Sequence, residues 1–259
     1  MELKQTGESI NGLFRNKVRV IQARRGYRVS EDAIILTWFA RTNPGRLILD
    51  AGTGCGVIAF GLAVKDPSVM VVGLEIQKGP ADRAGRGVKL NGLEDRVIVV
   101  RGDVRNADRF FKHGSFDAVV SNPPYYEPGR GRINLEHEKA LSRHQLMMPL
   151  TDLFHVSGRI LRPEGNLSLI YPAGGRCRID EAMKAAGFKP SRVLWIHPQK
   201  GAEPGLVCVE ARREAHCPEL REDHLYLYRG PGERSEEAEA ILAGEEFSGI
   251  PAGARGFPG

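Results

Sequence analysis

Short apolar runs alternate with helical stretches from about residue 46 to residue 189. Unbroken apolar runs of this length are typical of strands in a parallel sheet that helices cover on both faces. The sequence therefore predicts a doubly wound α/β fold. The predicted strands are residues 47–49, 69–74, 97–100, 118–120 and 166–171, and the predicted helices are 57–65, a stretch ending near 90, 145–161 and 179–186.

The pattern changes after residue 190, where three strand-like runs follow at 192–197, 206–211 and 225–228. No helix of useful length separates the first two runs, which indicates antiparallel strands that close an otherwise parallel sheet. We therefore expect a seven-stranded, mostly parallel sheet with antiparallel C-terminal strands. A helix led by Ser235 is predicted at 236–242.

The helix that ends near residue 90 has an unfavourable composition. Gly79, Pro80, Gly85 and Gly87 lie inside it, and glycine and proline are poor residues for a helix interior. At the level of domains, we expect a short N-terminal cap at 1–45, one α/β domain at 46–244, and a disordered Gly- and Pro-rich tail at 245–259.

The composition fits a globular chain with a real core, since 41% of its 259 residues are hydrophobic and 27% are charged. No run approaches the roughly 18–20 apolar residues that a membrane-spanning helix needs. The N-terminal residues contain no apolar core of a signal peptide, which predicts a cytoplasmic protein.

The cysteines predict neither a disulfide framework nor a metal site. The four of them include no C-x-x-C pair, and without a secretory signal reduced thiols are expected. His216, Cys217 and His224 could gather around a metal, but a cluster of this sort is usually incidental surface.

The basic residues fall into two groups. The net charge is +5, with an isoelectric point of about 9.1, which is compatible with a polyanionic partner but common among enzymes. Each group alone is also typical of a solvated surface, but two groups that flank one candidate site favour a nucleic-acid partner. The first consists of Lys17, Arg19, Arg24, Arg25 and Arg28, and the second of Arg130, Arg132, Lys139 and Arg143.

A glycine-rich turn lies where the first core strand meets the first core helix. Gly52, Gly54 and Gly56 are spaced G-x-G-x-G, and glycines there let the backbone turn sharply and approach a ligand. A dinucleotide-binding turn would have its third glycine at Val57. Asp50, just before the turn, would repel a pyrophosphate. The pattern therefore favours a positively charged cofactor without phosphate, and S-adenosylmethionine fits.

Two further acids follow the next strands. Glu75 ends the second strand, where a carboxylate can accept both ribose hydroxyls of a nucleoside. Asp103 follows the third strand and could face the adenine amine. The alternatives are a solvated strand-end acid for Glu75 and a simple turn residue for Asp103.

The sequence Asn122-Pro123-Pro124-Tyr125 follows the fourth strand, and open α/β sheets bind ligands at that edge. An aromatic amine is a poor nucleophile because its lone pair is delocalised into the ring. The Asn122 side-chain oxygen and the Pro123 carbonyl can both accept hydrogen bonds from an NH2 group and aim its lone pair at a methyl donor. Tyr125 offers a stacking face. The structural alternative is a rigid turn with an aromatic residue.

These motifs resemble those of class I methyltransferases with an N-P-P-Y signature, whose fold is the doubly wound sheet predicted above. The closer likeness, over about residues 12–243, is to the bacterial tRNA adenine-N6 methyltransferases that modify the adenine beside the anticodon of valine tRNA. That likeness is carried by residues 26–33, 72–77, 142–144, 198–201, 225–230 and 235–237. It implies S-adenosylmethionine as methyl donor and tRNA as substrate. Cys55 departs from the more usual serine in the glycine turn.

Several residues outside the core motifs have two interpretations. Tyr27 and Asp32 are expected to close over the cofactor, but Ser30 and Asp32 can equally cap a helix at 33–40. Arg143 and His144, together with Arg130 and Arg132, are candidate contacts to RNA phosphate or ordinary surface residues.

Different functions are compatible with the same motifs. Glutamine methyltransferases of release factors share the signature, because a side-chain amide poses the same geometric problem, but they usually carry an extra helical domain before the core. The motifs also leave open DNA adenine methylation, a non-catalytic RNA-binding module and a nicotinamide oxidoreductase.

Overall fold

The strands and helices confirm the elements predicted from the apolar pattern. We describe residues 3–25, 29–42, 46–124 and 148–245 of a computed structural model. Its strands are β1 (Glu8–Leu13), β2 (Val18–Ala23), β3 (Leu47–Ala51), β4 (Met70–Glu75), β5 (Val97–Arg101), β6 (Phe116–Ser121), β7 (Leu161–Pro172), β8 (Phe188–Gln199), β9 (Leu206–Arg213), β10 (Arg221–Gly230) and β11 (Glu233–Arg234). Its helices are α1 (Glu31–Phe39), α2 (Val57–Lys65), α3 (Lys78–Leu90), α4 (Ala107–Phe110), α5 (Leu150–Ile160), α6 (Arg176–Ala185) and α7 (Glu236–Ala243).

The predicted mostly parallel sheet with antiparallel C-terminal strands is confirmed. Across the described residues, the strand order is β11-β10-β8-β9-β7-β6-β3-β4-β5. Strand β9 runs antiparallel to both neighbours, and β10 runs parallel to β8. The eight predicted strand runs correspond to β3–β10, and β11 adds a further edge strand, so the sheet of the described residues has nine strands rather than the expected seven. Strand β10 is parallel to β8 because the chain reverses direction after β9 and crosses to the far side of β8.

The two faces of the sheet bury separate apolar cores. Ile48 packs with α1, α2 and α7 on one face, whereas its neighbour Leu49 packs with α5 and α6 on the other. This alternation follows from the pleat of the strand, which sends successive side chains to opposite faces. In the part of the chain described, no helix is long and apolar enough to cross a membrane. The tail predicted to be disordered lies, from residue 246 onward, outside the described residues.

Close packing on α2 explains one glycine of α3, Gly87. A Cβ atom on Gly87 would lie 2.7 Å from the Phe60 ring, whereas one on Gly85 would meet nothing within 4 Å. Phe60 is fully buried. Gly87 therefore lets α3 approach α2, so a residue that weakens the helix locally is required by the packing around it.

An N-terminal hairpin, β1–β2, docks on α3. Glu8 and Arg86 form a bidentate ion pair, with both N···O distances 2.7 Å. Both side chains are buried, and Arg86 also donates to Asp82 at 3.0 Å. The hydrogen bonds from Arg86 hold the pKa of the Glu8 carboxyl below its usual value. The sequence analysis did not predict this hairpin, because neither the ion pair nor the docking surface leaves a local signal.

Candidate active site

The carboxyl ends of four parallel strands bring the predicted site residues to one edge of the sheet. Asp50 of β3 is paired with Gly73 of β4 on one side and with Val120 of β6 on the other. Neighbouring strands lie about 4.8 Å apart. The residues that follow these strands therefore line up along the edge in the order Asn122, Gly52, Glu75 and Asp103.

The first two glycines of the turn keep it open towards solvent. Gly52 and Gly54 have positive φ angles of 81° and 58°, a region that side chains other than glycine rarely adopt. A Cβ atom on either residue would meet nothing within 4 Å. Gly56 differs, because a Cβ atom there would lie 2.3 Å from the Phe60 ring. Gly52 and Gly54 thus leave space for a ligand, while Gly56 serves the packing of α2.

Asp50 is buried beneath this turn. Its Oδ2 accepts hydrogen bonds from the Thr53 hydroxyl at 2.6 Å and from the Ala59 amide at 3.1 Å. Among the described residues, Oδ1 has no hydrogen-bond partner. Burial raises the pKa of Asp50 to about 7. A cationic group nearby would favour the ionised carboxylate.

Glu75, at the end of β4, forms a hydrogen bond with the glycine turn that follows β3. Its Oε2 accepts from the Gly54 amide at 2.9 Å and its Oε1 from the Gln77 amide at 2.8 Å. Each carboxylate oxygen can accept more than one hydrogen bond. The Glu75 carboxylate therefore retains acceptor capacity for the two hydroxyls of a ribose.

Asp103 is engaged within its own loop. Its carboxylate accepts from the Arg105 guanidinium at 2.6 Å and from the Arg105 amide at 2.9 Å. These hydrogen bonds hold the pKa of Asp103 below its usual value. The acid thus acts as a turn residue here, and its predicted contact with an adenine amine would have to share the carboxylate with Arg105.

Ser121 is a site residue that the sequence analysis missed. Its hydroxyl is fully buried and donates a 2.8 Å hydrogen bond to the Ala51 carbonyl. This bond ties the strand end before Asn122 to the strand end before the glycine turn. Asn122 is half-buried, Pro123 is buried and Pro124 is exposed. A serine at that position has no signal of its own, because only the strand pairing shows where its hydroxyl points.

The C-terminal ends of α1 and α2 meet. The buried Lys65 side chain at the end of α2 donates to the carbonyls of Thr37, Trp38 and Ala40, at distances of 3.2, 2.8 and 2.8 Å. Asp32 lies in the first turn of α1.

Cys55 sits inside the turn and is partly buried. Burial raises the pKa of its thiol to about 11. Among the described residues, His216, Cys217 and His224 do not gather into a group of potential metal ligands. His224 contacts His197, and Cys217 donates to the Pro190 carbonyl. Six of the predicted site residues lie outside the described residues: Tyr27, Tyr125, Arg130, Arg132, Arg143 and His144.

Comparison with known proteins identifies the family. Residues 32–178, more than half of the chain, match the family described as methyltransferase small domain. The chain belongs to this family. It is an S-adenosylmethionine-dependent methyltransferase, as the glycine turn and the strand-end acids predict.

Curated relatives match this methyltransferase over most of its length. A protein of Tolumonas auensis, named tRNA1(Val) (adenine(37)-N6)-methyltransferase, is 27% identical over 87% of this chain and 92% of its own. A protein of Porphyromonas gingivalis with the same name is 31% identical over 71% of this chain and 74% of its own. The resemblance to this group, inferred from the motifs, is confirmed.

Solved structures confirm the fold of the methyltransferase. A predicted O-methyltransferase from Agrobacterium tumefaciens superposes with a TM-score of 0.66 at 19% identity, covering 85% of this chain and all of its own. The geranyl diphosphate C-methyltransferase of Streptomyces coelicolor gives a TM-score of 0.52 at 17% identity, covering 70% and 74% of the two chains. At these identities the likeness extends to the fold alone.

The residues at the edge fit the cofactor of the family. Two buried carboxylates, Asp50 and Glu75, flank the turn, and the first has an oxygen without a partner among the described residues. Acids in these positions disfavour phosphate and favour a cationic ligand. The two open glycines leave room for it above the turn.

Proposed function

We propose that this methyltransferase methylates the N6 amine of an adenine in RNA, and that its substrate is a tRNA modified next to the anticodon. Two observations support the proposal. Asn122-Pro123-Pro124 directly follows β6, the strand beside the glycine turn, and the curated relatives carry the name of tRNA adenine-N6 methyltransferases. We place this reaction in the cytoplasm.

The position of Asn122 carries the proposal. The Asn122 side-chain oxygen and the Pro123 carbonyl can each accept a hydrogen bond from the two N–H groups of one planar amine. This draws the nitrogen towards tetrahedral geometry and directs its lone pair along the sheet edge, towards the space above Gly52. The Ser121–Ala51 hydrogen bond keeps these acceptors in register with the turn.

The acids of the neighbouring strands would hold the cofactor. We assign Asp50 and the turn residues Gly52, Gly54 and Gly56 to its methionine part, and Glu75 to its ribose hydroxyls. Asp103, Asp32 and Tyr27 complete the proposed cofactor set. When bound, the cofactor supplies a sulfonium methyl group, so that an N–C bond forms as the C–S bond breaks and the amine proton passes to solvent.

The RNA would approach from the same edge. We assign the target adenine to Asn122, Pro123, Pro124 and Tyr125, with Tyr125 stacking on the base. The adenine has to leave its stack to reach them. Phosphate contacts are assigned to Arg130, Arg132, Arg143 and His144. The division into a substrate-binding cap at 1–45, a methyltransferase domain at 46–244 and a tail belongs to the same proposal.

Transfer of labelled methyl groups from S-adenosylmethionine into unmodified bulk tRNA tests the proposal directly. We expect the label in N6-methyladenosine after nucleoside analysis. Label that appeared in release factors as methylated glutamine, or in another nucleoside, would contradict it. A chain that bound tRNA but transferred no methyl group would be a non-catalytic RNA-binding module.

The Asn122→Ala variant tests the assigned acceptor. Loss of a hydrogen-bonding group that acts in the transition state lowers kcat by roughly 10²–10³-fold, while the affinity for S-adenosylmethionine should stay unchanged by calorimetry. Asn122→Asp retains an acceptor oxygen and should keep more activity than the alanine variant. Near wild-type turnover by Asn122→Ala would refute the assignment.

A further inference from the structure

An aromatic surface lies on strands β8 and β10. His197, His224 and Tyr226 form a contiguous group of rings, with centroids 5.0 Å apart between His197 and Tyr226 and 5.1 Å apart between the two histidines. The His224 and Tyr226 rings are nearly parallel, at 14°. Trp195 lies next to His224 in the strand register. We call Trp195, His197, His224 and Tyr226 the aromatic platform.

The strand register explains why these rings share one face. Trp195 is paired with His224 and His197 with Tyr226. Side chains alternate along a strand, so the intervening residues Ile196 and Leu225 point to the opposite face and are buried in the core with α7. On the platform face His224 is exposed and Trp195 and Tyr226 are partly exposed, whereas His197 is buried.

Hydrogen bonds hold the platform rings in place. The Ala202 carbonyl can only accept, so His197 Nδ1–H donates to it at 2.7 Å. A second hydrogen bond joins His197 Nε2 and His224 Nδ1 at 2.8 Å. Trp195 Nε1–H donates to Glu222 at 3.2 Å. Rings fixed in this way lose little further freedom when a flat ligand stacks on them.

Two cationic side chains lie beside the platform. The Arg176 guanidinium lies over the Trp195 ring at 5.6 Å, and Lys200 is exposed just beyond the end of β8. Glu222 accepts from Trp195, and Asp180 accepts from Arg176 at 2.9 Å. Flat rings combined with cationic groups are the features that bind unpaired nucleotides.

The platform is at the same edge of the sheet as the candidate active site. Strands β8 and β10 run parallel to β6, so the carboxyl ends of all three strands point the same way. Four strand spacings separate β10 from β6, which corresponds to about 19 Å at about 4.8 Å for each spacing. A folded RNA that places one base at Asn122 can therefore also reach the platform.

We propose that the aromatic platform binds the RNA substrate by stacking unpaired nucleobases that lie outside the target nucleotide. This proposal rests on the proposed function and adds a second contact region to it. The stacking would be tolerant of sequence, because every base has a flat face. Its contribution is to substrate affinity, and the methyl transfer step itself is left to Asn122.

Binding of an unmodified tRNA transcript, measured by fluorescence anisotropy, tests the platform. Tyr226→Ala should weaken the Kd about 5- to 100-fold, the range expected for one stacked base, and raise KM for tRNA with little change in kcat. Tyr226→Phe keeps the ring and should bind like the wild type. His224→Ala should weaken tRNA binding. His113→Ala is the matched control, because His113 is an exposed histidine just before β6, at the opposite edge of the sheet. This variant should bind tRNA like the wild type.

The outcomes separate this proposal from the proposed function. Unchanged tRNA affinity in Tyr226→Ala, with wild-type affinity for S-adenosylmethionine as evidence of folding, would overturn the platform while methylation stands. A wild-type dimer that dissociates in Tyr226→Ala, with no change in tRNA affinity, would also overturn it and assign the face to a second copy. If the wild type methylates no tRNA but binding still depends on Tyr226, the platform stands and the proposed function fails.

Discussion

Asp50 combines complete burial with a carboxylate oxygen that has no partner among the described residues. Burial disfavours the ionised form of an acid in this position, and a cationic neighbour would offset that cost. The unfolded chain releases this proton near pH 3.8, whereas the folded chain retains it up to about pH 7. Between these values the stability contributed by Asp50 falls as the pH rises.

A bound cationic cofactor should favour the ionised Asp50 carboxylate. The affinity for the cofactor should therefore depend on pH. Below about pH 7 Asp50 is neutral, and above it the carboxylate attracts a cationic ligand. The affinity for S-adenosylmethionine should therefore rise between pH 6 and pH 8, and calorimetry should detect proton release on binding. Asp50→Asn should weaken binding and flatten the profile. A wild-type affinity independent of pH would rule out this role.

At the scale of the elements, two glycines of α3 differ in what they contribute: both lower helix propensity, but only one allows close helix packing. Gly87 faces Phe60 of α2, while Gly85 faces open space on the same helix. Glycine lowers helix stability at both positions. Only Gly87 compensates for this, by letting the two helices approach each other.

The pair Gly87→Ala and Gly85→Ala tests this interpretation in one helix. The first should destabilise the fold by about 1–3 kcal/mol, because the new methyl group overlaps the Phe60 ring. The second should stabilise it by up to about 1 kcal/mol through helix propensity alone. Urea unfolding measures both free energies. Equal effects of the two substitutions would contradict the packing argument.

The sequence predicted the elements more completely than their contacts. Unbroken apolar runs identified strands β3–β10, and the glycine turn and strand-end acids predict the cofactor edge, because both signals are local. The Ser121–Ala51 hydrogen bond and the platform on β8 and β10 depend on strand order and register. No local pattern encodes which strands become neighbours, so these features required the structure.

At the scale of the whole molecule, the Glu8–Arg86 ion pair fastens the N-terminal hairpin to the sheet domain. Arg19 of the same hairpin adds a 2.6 Å hydrogen bond to the Leu90 carbonyl at the end of α3. The hairpin is thus held at two points in the C-terminal half of one helix. Since Arg86 lowers the pKa of Glu8, the ion pair contributes stability above the usual glutamate value of 4.5. That contribution is lost as the pH falls through the lowered value.

Glu8→Gln should therefore destabilise the protein by about 1.5–3 kcal/mol at pH 7, the range for a hydrogen bond to a charged group. The difference from wild type should shrink in acid, once Glu8 itself is protonated. Glu233→Gln breaks the exposed ion pair with Arg229 and should cost less than about 1 kcal/mol. Urea unfolding at pH 7 and at successively lower pH below 4.5 would compare the three proteins. A Glu8→Gln deficit that persisted in acid would argue against the ion pair as its cause.

The buried thiol of Cys55 bears on how the enzyme avoids methylating itself. The nucleophile of a cysteine is its thiolate, and a thiolate in the cofactor turn would be a competing acceptor for an activated methyl group. With a pKa of about 11, only about one Cys55 in ten thousand is ionised at pH 7. If the donor binds at this turn as proposed, burial keeps the sulfur protonated and unreactive beside it. Strongly alkaline conditions would ionise the thiol and expose it to S-methylation.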